Sequence, residues 1–230
     1  MPHDPPHPRL AQSDLNDDLF SGMPASDPLA FERSARASGY LRLAGLDEAG
    51  RGPLAGPVVA AAVMLPDGLL IPGVTDSKQV AERDRERLFD VIREQAVCYG
   101  IGIADERTID DVNILQATII AMERALQALS SKPDYLLLDA ITLPRIMLPQ
   151  KPIIKGDVRS HSIAAASILA KVTRDRIMRE LHEKYPRYNF HKHKGYGTKE
   201  HLALLREHGP CEAHRRTFRP VSGMLGGETS

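Results

Sequence analysis

At 230 residues, with 42% hydrophobic and 26% charged residues, the chain has the composition of a soluble globular protein able to bury one good core. No apolar run approaches the length of a bilayer, no basic segment followed by an apolar one opens the chain, and Cys98 and Cys211 lie far apart. These features exclude a membrane-spanning or disulfide-stapled protein and imply a cytoplasmic one with free thiols. A formal net charge of zero would argue against nucleic acid, but the zero hides −3 over residues 1–40, −5 over 41–150 and +9 over 151–220. Seven of the nine histidines also fall in that last span. A basic C-terminal third beside an acidic region restores nucleic acid as a partner class.

Residues 1–38 carry many prolines, little apolar periodicity and an acidic bias, and read as a disordered tail with at most a short helix near Leu29–Arg36. A strand is expected over Tyr40–Leu46. It leads into Asp47-Glu48 and a turn too rich in Gly and Pro for helix or mid-strand, Gly50-Arg51-Gly52-Pro53-Leu54-Ala55-Gly56-Pro57. Pro57–Leu65, dense in Val and Ala, reads as a strand buried on both faces. A Pro/Gly loop over 66–76 then delivers Thr75-Asp76-Ser77-Lys78 to a helix over about 79–96, striped by Leu88, Val91 and Ile92.

A third strand is expected over Ala96–Ala104, and a helix over Asp111–Leu129. Tyr135–Leu138 follows as a short buried strand ending on Asp139, and Pro152–Lys155 as another ending at Gly156-Asp157. An Ala-rich helix spans His161–Lys184, an aromatic and basic loop 185–198, and a last helix 198–208, capped by Thr198 and stopped by Gly209-Pro210. Residues 223–230 read as a flexible tail. The order of elements predicts an α/β domain with a mixed sheet: three antiparallel strands first, later ones parallel through helical crossovers.

The chemistry-bearing pattern is three strand ends that each carry an acid: Asp47-Glu48, Asp139 and Asp157. Ligands of open α/β sheets bind at the carboxyl ends of strands. Four carboxylates converging there repel one another unless cations intervene. Two divalent ions would balance them, and an all-oxygen ligand set favours Mg²⁺ or Mn²⁺ over Zn²⁺. Such ions, roughly 3.5–4 Å apart, suit in-line displacement at phosphorus. The Asp47-Glu48 stretch taken alone reads equally well as a solvated hairpin with two surface acids. The loop His191-Lys192-His193-Lys194-Gly195-Tyr196-Gly197-Thr198 interleaves cations with an aromatic ring, as contacts to phosphate and to sugar or base would require. Its histidines lack a third clear zinc ligand.

Seven separated motifs stand in order: DEAGRGPLAGPVVAAAV at 47–63, DSK at 76–78, NILQAT at 113–118, KGD at 155–157, SIAAASILAKVTRD at 162–175, KGYGT at 194–198 and HRRTF at 214–218. On these, residues 40–222 resemble the type 2 ribonucleases H (ribonuclease HII). The resemblance implies a ribonuclease H-like α/β fold: a mixed five-stranded sheet flanked by helices, with a C-terminal helical subdomain. The implied division is a tail over 1–38, a catalytic core over 39–160, a helical substrate-binding part over 161–222 and a tail over 223–230. It also implies hydrolysis of RNA paired to DNA and incision 5′ to single ribonucleotides in duplex DNA, leaving 3′-hydroxyl and 5′-phosphate ends.

By the same resemblance, Asp47, Glu48, Asp139 and Asp157 are the metal-binding catalytic carboxylates. Gly50, Arg51 and Gly52 read the ribose 2′-hydroxyl, Tyr196 packs on the sugar, and Lys78 contacts a phosphate; Lys192 and Lys194 join the substrate footprint on charge. One departure is that Asp139 is followed by Ala140 where the family usually has Gly. The chain is expected to act as a monomer; a sliding clamp is a conceivable partner, although the usual short clamp-binding signature is not evident at either end. Two other readings are a nucleic-acid-binding protein with a dead site, against which all four acids stand, and a metal nuclease or integrase acting on DNA alone.

Overall fold

The computed structural model describes residues 27–225; residues 1–26 of the proposed tail and 226–230 lie outside them. Helix α1 (Ala30–Ala37) precedes strands β1 (Leu43–Ala49) and β2 (Val58–Met64), helix α2 (Glu82–Gln95) and strand β3 (Cys98–Ala104). Helices α3 (Glu106–Val112) and α4 (Ile114–Gln127), strands β4 (Tyr135–Asp139) and β5 (Gln150–Ile153), and helices α5 (Gly156–Arg159) and α6 (His161–Lys184) follow. A 3-10 turn (Pro186–Tyr188) and helices α7 (Phe190–His193), α8 (Lys199–His208) and α9 (Val221–Leu225) complete the described chain.

The sheet is five-stranded in the order β3-β2-β1-β4-β5. As expected, β3, β2 and β1 are antiparallel, while β1, β4 and β5 run parallel. Strand β2 is buried throughout, and its residues alternate between two cores as a pleated strand must. Val58, Ala60, Ala62 and Met64 pack with Ile109 of α3 and with Ala121, Met122 and Ala125 of α4. Ala61 and Val63 face Leu88 and Ile92 of α2 and Ile168, Leu169 and Val172 of α6. A Cβ on Gly45 would collide with the Ser162 backbone. A bare glycine in β1 is therefore what lets α6 lie directly on the strand that carries Asp47 and Glu48.

Several boundaries differ from the sequence reading, each for a local reason. Residues 27–38, grouped with the tail on composition, contain the short helix expected near Leu29–Arg36 as α1, and that helix belongs to the core. Phe31 and Ala35 pack against Leu43, Tyr135, Leu137 and Ile163. Buried Glu32 accepts hydrogen bonds from the Ser160 hydroxyl (2.6 Å), the Ser162 amide (3.0 Å) and the Ser162 hydroxyl (2.7 Å) at the start of α6. The helix expected over 111–129 begins earlier and is two helices. Asn113 takes a positive φ (73°) with an extended ψ (166°) between them, and its side chain accepts from the amides of Leu115 and Gln116 to cap α4. The loop 185–198 contains the 3-10 turn and α7, whose aromatic residues Tyr188 and Phe190 are buried with Ala55, Met178 and Ala213. Helix α6, assigned to a C-terminal part, packs on β1 and β2 and so starts inside the core. Of the expected C-terminal tail, residues 223–225 belong to α9.

Strand β4 ends at Asp139, and Ala140 turns the chain with φ 53° while its amide donates to the Ile153 carbonyl (3.1 Å). A Cβ in this region costs about 1 kcal/mol or slightly more, partly offset by the unfolded-state entropy that glycine adds. Ala140→Gly is therefore expected to raise the urea midpoint, with a gain of about 0.5–1 kcal/mol. An unchanged or lower midpoint would show that no strain is stored there.

Candidate active site

The carboxyl ends of the interior strands β1 and β4 meet the first turn of α5 at one end of the sheet. Oxygens of Asp47, Asp139 and Asp157 lie within 4.8 Å of one another. Asp157 reaches this group from α5 and not from a strand end: β5 stops at Ile153, and Lys155 in a left-handed conformation (φ 56°) opens the short helix. Glu48 lines the same cleft but stands outside the three-oxygen group. Its Oε1 lies 3.3 Å from an Arg51 guanidinium nitrogen, and its Oε2 is buried without a hydrogen-bond partner among the described residues.

Holding these acids together is unfavourable for their ionised forms. Burial, then Glu48 and Asp139, lift the Asp47 carboxyl well above its usual range, against a hydrogen bond donated by the Glu48 amide (2.7 Å). Burial also raises Glu48, opposed by Arg51, and raises Asp139, opposed by the Gly156 amide that donates to its Oδ1 (2.7 Å). Three raised acids and one orphaned carboxylate oxygen fit a divalent cation, which ionises such groups by displacing their protons.

The glycine turn after β1 forms one wall of the cleft. Gly50 has φ 100°, and a Cβ there would strike the Arg174 side chain. The turn is held from behind by two fully buried arginines. Arg215 donates to the carbonyls of Gly50 (2.6 Å), Arg51 (3.0 Å) and Gly56 (2.9 Å). In a trans peptide the carbonyl and the next amide point in opposite directions. Turning the Gly50 and Arg51 carbonyls inward therefore turns the amides of Arg51 and Gly52 toward the cleft. Gly52 is exposed, and the nearest atom a Cβ would meet is Tyr196 Cε1 at 3.9 Å. Its bareness answers no packing demand inside the protein; it keeps open the gap between turn and ring.

Lys78 lines the cleft, with Nζ 3.3 Å from Asp157 Oδ2 and 3.8 Å from Asp76 Oδ1. Partial burial pulls its pKa down, but Asp76 and Asp157 outweigh this and raise it. The loop beneath is built: the Asp76 carboxylate accepts from the Lys78 amide, and Arg85 donates to the carbonyls of Ser77 and Val80 while pairing with Asp175. Lys171 also lines the cleft and pairs with Asp175 at 2.6 Å. Sequence reasoning missed Lys171, Arg174 and Arg215. The signal available was their place inside the motifs at 162–175 and 214–218.

Lys192 and Lys194, expected to face phosphates, are each paired with an acid of the chain. Lys192 lies 2.7 Å from Glu200, Lys194 lies 3.4 Å from Glu82, and neither lines the cleft. Of the loop histidines His191 is exposed, while His193 joins His201 and His214 in a buried relay. The His201 ring stacks on that of His193, 4.3 Å away between centroids. His193 Nδ1 accepts from the Gly195 amide, so Nε2 donates to the Tyr188 carbonyl (2.7 Å). His214 Nδ1 accepts from the Cys211 amide, so Nε2 donates to His201 Nε2 (3.0 Å), whose Nδ1 donates to the Tyr196 carbonyl (2.9 Å). Every ring is neutral in this arrangement.

The family model Ribonuclease HII matches residues 44–221. Over 209 residues the chain is 58% identical to the ribonuclease HII of Citrifermentans bemidjiense, covering 90% of this chain and 91% of that one. It is 56% identical over 188 residues to the ribonuclease HII of Caldanaerobacter subterraneus subsp. tengcongensis, covering 82% and 78%. The crystal structure of ribonuclease H2 from Pyrococcus horikoshii is similar with a TM-score of 0.67 at 27% identity, covering 80% of this chain and 97% of that chain.

Burial, with His201 as a second cause, lowers both His193 and His214 to a pKa of about 4. Unfolded, each returns to about 6.5, so the unfolded chain binds more protons between these values. Stability from the neutral rings is thus complete above pH 6.5 and is lost as pH falls toward 4, on the order of 1–2 kcal/mol per histidine by pH 5. Thermal midpoints from pH 7.5 to 5 are expected to fall, and to fall less steeply in His193→Gln; equal slopes would remove the relay as the cause.

Proposed function

The chain belongs to the ribonuclease HII family and is a ribonuclease H, an endoribonuclease acting on RNA–DNA hybrids, and we propose that it also incises duplex DNA on the 5′ side of a single embedded ribonucleotide. Products would carry 3′-hydroxyl and 5′-phosphate ends, and the work would be removal of ribonucleotides during replication and repair. The observation that carries this reading is the glycine turn, its Gly50 and Arg51 carbonyls held by Arg215, lining one cleft with Tyr196 and the acidic cluster.

Asp47, Glu48, Asp139 and Asp157 would together hold two divalent ions, Mg²⁺ or Mn²⁺, and the orphaned Glu48 oxygen and the raised carboxyls support that ligand set. When bound, such ions supply positive charge that favours deprotonation of an attacking water and offsets charge on the phosphate and its leaving 3′-oxygen. The chain's own groups do the selecting. The amides of Arg51 and Gly52 donate to the ribose 2′-oxygen, which DNA lacks. The Tyr196 ring covers the sugar from the other side, and Gly52 leaves room between them. Lys78 provides a cation at the phosphate while keeping Asp157 oriented. A monomer working in the cytoplasm completes this reading; among the described residues no helix is long and apolar enough to cross a membrane.

The test is strand cleavage of duplex DNA containing one ribonucleotide, with Mg²⁺, with Mn²⁺ and with chelator, beside an all-DNA duplex. Metal-dependent cutting 5′ to the ribonucleotide is expected, with the all-DNA duplex intact. Asn at 139 can still accept from the Gly156 amide, so Asp139→Asn is expected to fold, to bind hybrid and to lose at least 100-fold in turnover. Retained turnover would remove Asp139 from the site, and cutting of all-DNA duplex would point to a nuclease without ribose selection. Tyr196→Ala is expected to reduce the preference for the ribonucleotide junction at least tenfold; an unchanged preference would refute its role.

A further inference from the structure

Arg174 lies on α6 directly behind the glycine turn, and only 1% of its surface is exposed. Its Nε donates to the Pro57 carbonyl (3.0 Å) and Nη2 to the Ala55 carbonyl (3.1 Å), both at the far end of the turn. Its Nη1 donates to the Lys194 carbonyl (3.0 Å), in the segment that carries Tyr196. The guanidinium carbon stands 5.9 Å from the centre of the Tyr196 ring. One rigid fork thus ties together the two segments that carry the walls of the gap in which the ribose is proposed to sit.

Two further features give this contact a geometric purpose. Lys194 is held in a left-handed conformation (φ 50°), followed by Gly195 at φ 82°. This is a conformation that a non-glycine residue keeps only when its surroundings enforce it. The Arg174 bond to the Lys194 carbonyl is one such restraint, and the Leu54 amide donating to the Gly195 carbonyl (2.8 Å) is another. In addition, the hydrogen bonds of this buried cation all go to carbonyls, and none to a carboxylate, among the described residues. A buried charge whose donors all go to neutral carbonyls, with Asp175 and Glu106 acting on it only through space, is a poor source of stability compared with an apolar side chain. A planar three-way donor, by contrast, fixes the mutual placement of its acceptors as no apolar side chain or ammonium does.

We infer that Arg174 is a positioning residue for ribose selection: it sets the separation between the glycine turn and the Tyr196 ring. The inference rests on the proposed ribose role of that turn and ring. It adds a residue that touches neither substrate nor ion and acts through Tyr196.

The test is a double-substitution cycle. Arg174→Lys keeps the charge and the helix but cannot satisfy three carbonyls in one plane. Turnover and KM are measured on the single-ribonucleotide duplex and on a long RNA–DNA hybrid, for Arg174→Lys alone, Tyr196→Ala alone and both together, with melting curves for each. Arg174→Lys is expected to lower kcat on the single-ribonucleotide duplex at least tenfold, with KM changed less than threefold. In the Tyr196→Ala background it is expected to add less than a twofold loss. Multiplying losses in the double variant would overturn the inference, because Arg174 would then act independently of Tyr196. If Arg174→Lys does not fold, the cycle is read on Arg174→Gln; if neither folds, Arg174 is a structural support and the inference falls. Failure of the underlying reading looks different. There the unmodified chain shows no preference for the ribonucleotide over all-DNA duplex, or Tyr196→Ala has no effect.

Discussion

The site depends on one close approach, that of the α6 backbone at Ser162 to the bare Cα of Gly45 in β1. From that contact β1 runs on to Asp47 and Glu48, while α6 runs on to Lys171, Arg174 and Asp175. Glu32 holds the start of α6 by three hydrogen bonds, so a helix that composition hides inside an acidic tail fixes the element on which the cleft is built. With a side chain at position 45, α6 would stand off the strand, and the guanidinium of Arg174 would no longer reach the carbonyls behind the glycine turn.

That turn separates two regions of opposite sign. Arg174 and Arg215 lie buried behind it, and the crowded carboxylates of Asp47, Asp139 and Asp157 lie beside it in the cleft. The peptides between them are aligned by this arrangement, with carbonyls toward the guanidinium groups and amides toward the cleft. A flexible Gly-rich loop would lose that alignment, since glycine gives up more conformational freedom on ordering than any other residue. Here the ordering is enforced by Arg215 at Gly50, Arg51 and Gly56 and by Arg174 at Ala55 and Pro57. The fold leaves charge unbalanced on the acidic side, which is where a cation completes it.

Much of this was legible in the residues. Apolar runs bounded by Gly and Pro gave the five strands, the order of elements gave their mixed sense, and the placing of acids at strand ends brought Asp47, Glu48 and Asp139 together. Ala140 stood out as the one residue where glycine was expected, and it does adopt a positive φ. Asp157 was placed by the wrong element, because Lys155 at φ 56° starts a helix that no propensity announces. Helix α1 was read as a short helix near Leu29–Arg36 but left with the tail, because its apolar stripe is short and its key polar residue, Glu32, is satisfied by groups far away in sequence. The arginines behind the turn were missed for a related reason. In sequence an arginine reads as surface charge, and only tertiary structure shows that Arg174 and Arg215 spend their donors on buried carbonyls.

The ion pairs of the C-terminal third carry a last consequence. Arg176 and Arg179 are held by Glu86 at 2.6 and 2.9 Å, Arg179 and Lys194 by Glu82 at 2.8 and 3.4 Å, Lys171 by Asp175 and Lys192 by Glu200. The excess of nine positive charges over residues 151–220 already counts Asp175 and Glu200 against it, and it is offset further by Glu82 and Glu86 of α2. Counterions released on contact with a polyanion are counted only for cations that meet phosphates. The steepness with which affinity falls as salt rises will therefore be smaller than the number of lysines and arginines suggests. Part of the response to ionic strength will instead be internal, as the α2–α6 contacts are screened within a Debye length of about 8–10 Å.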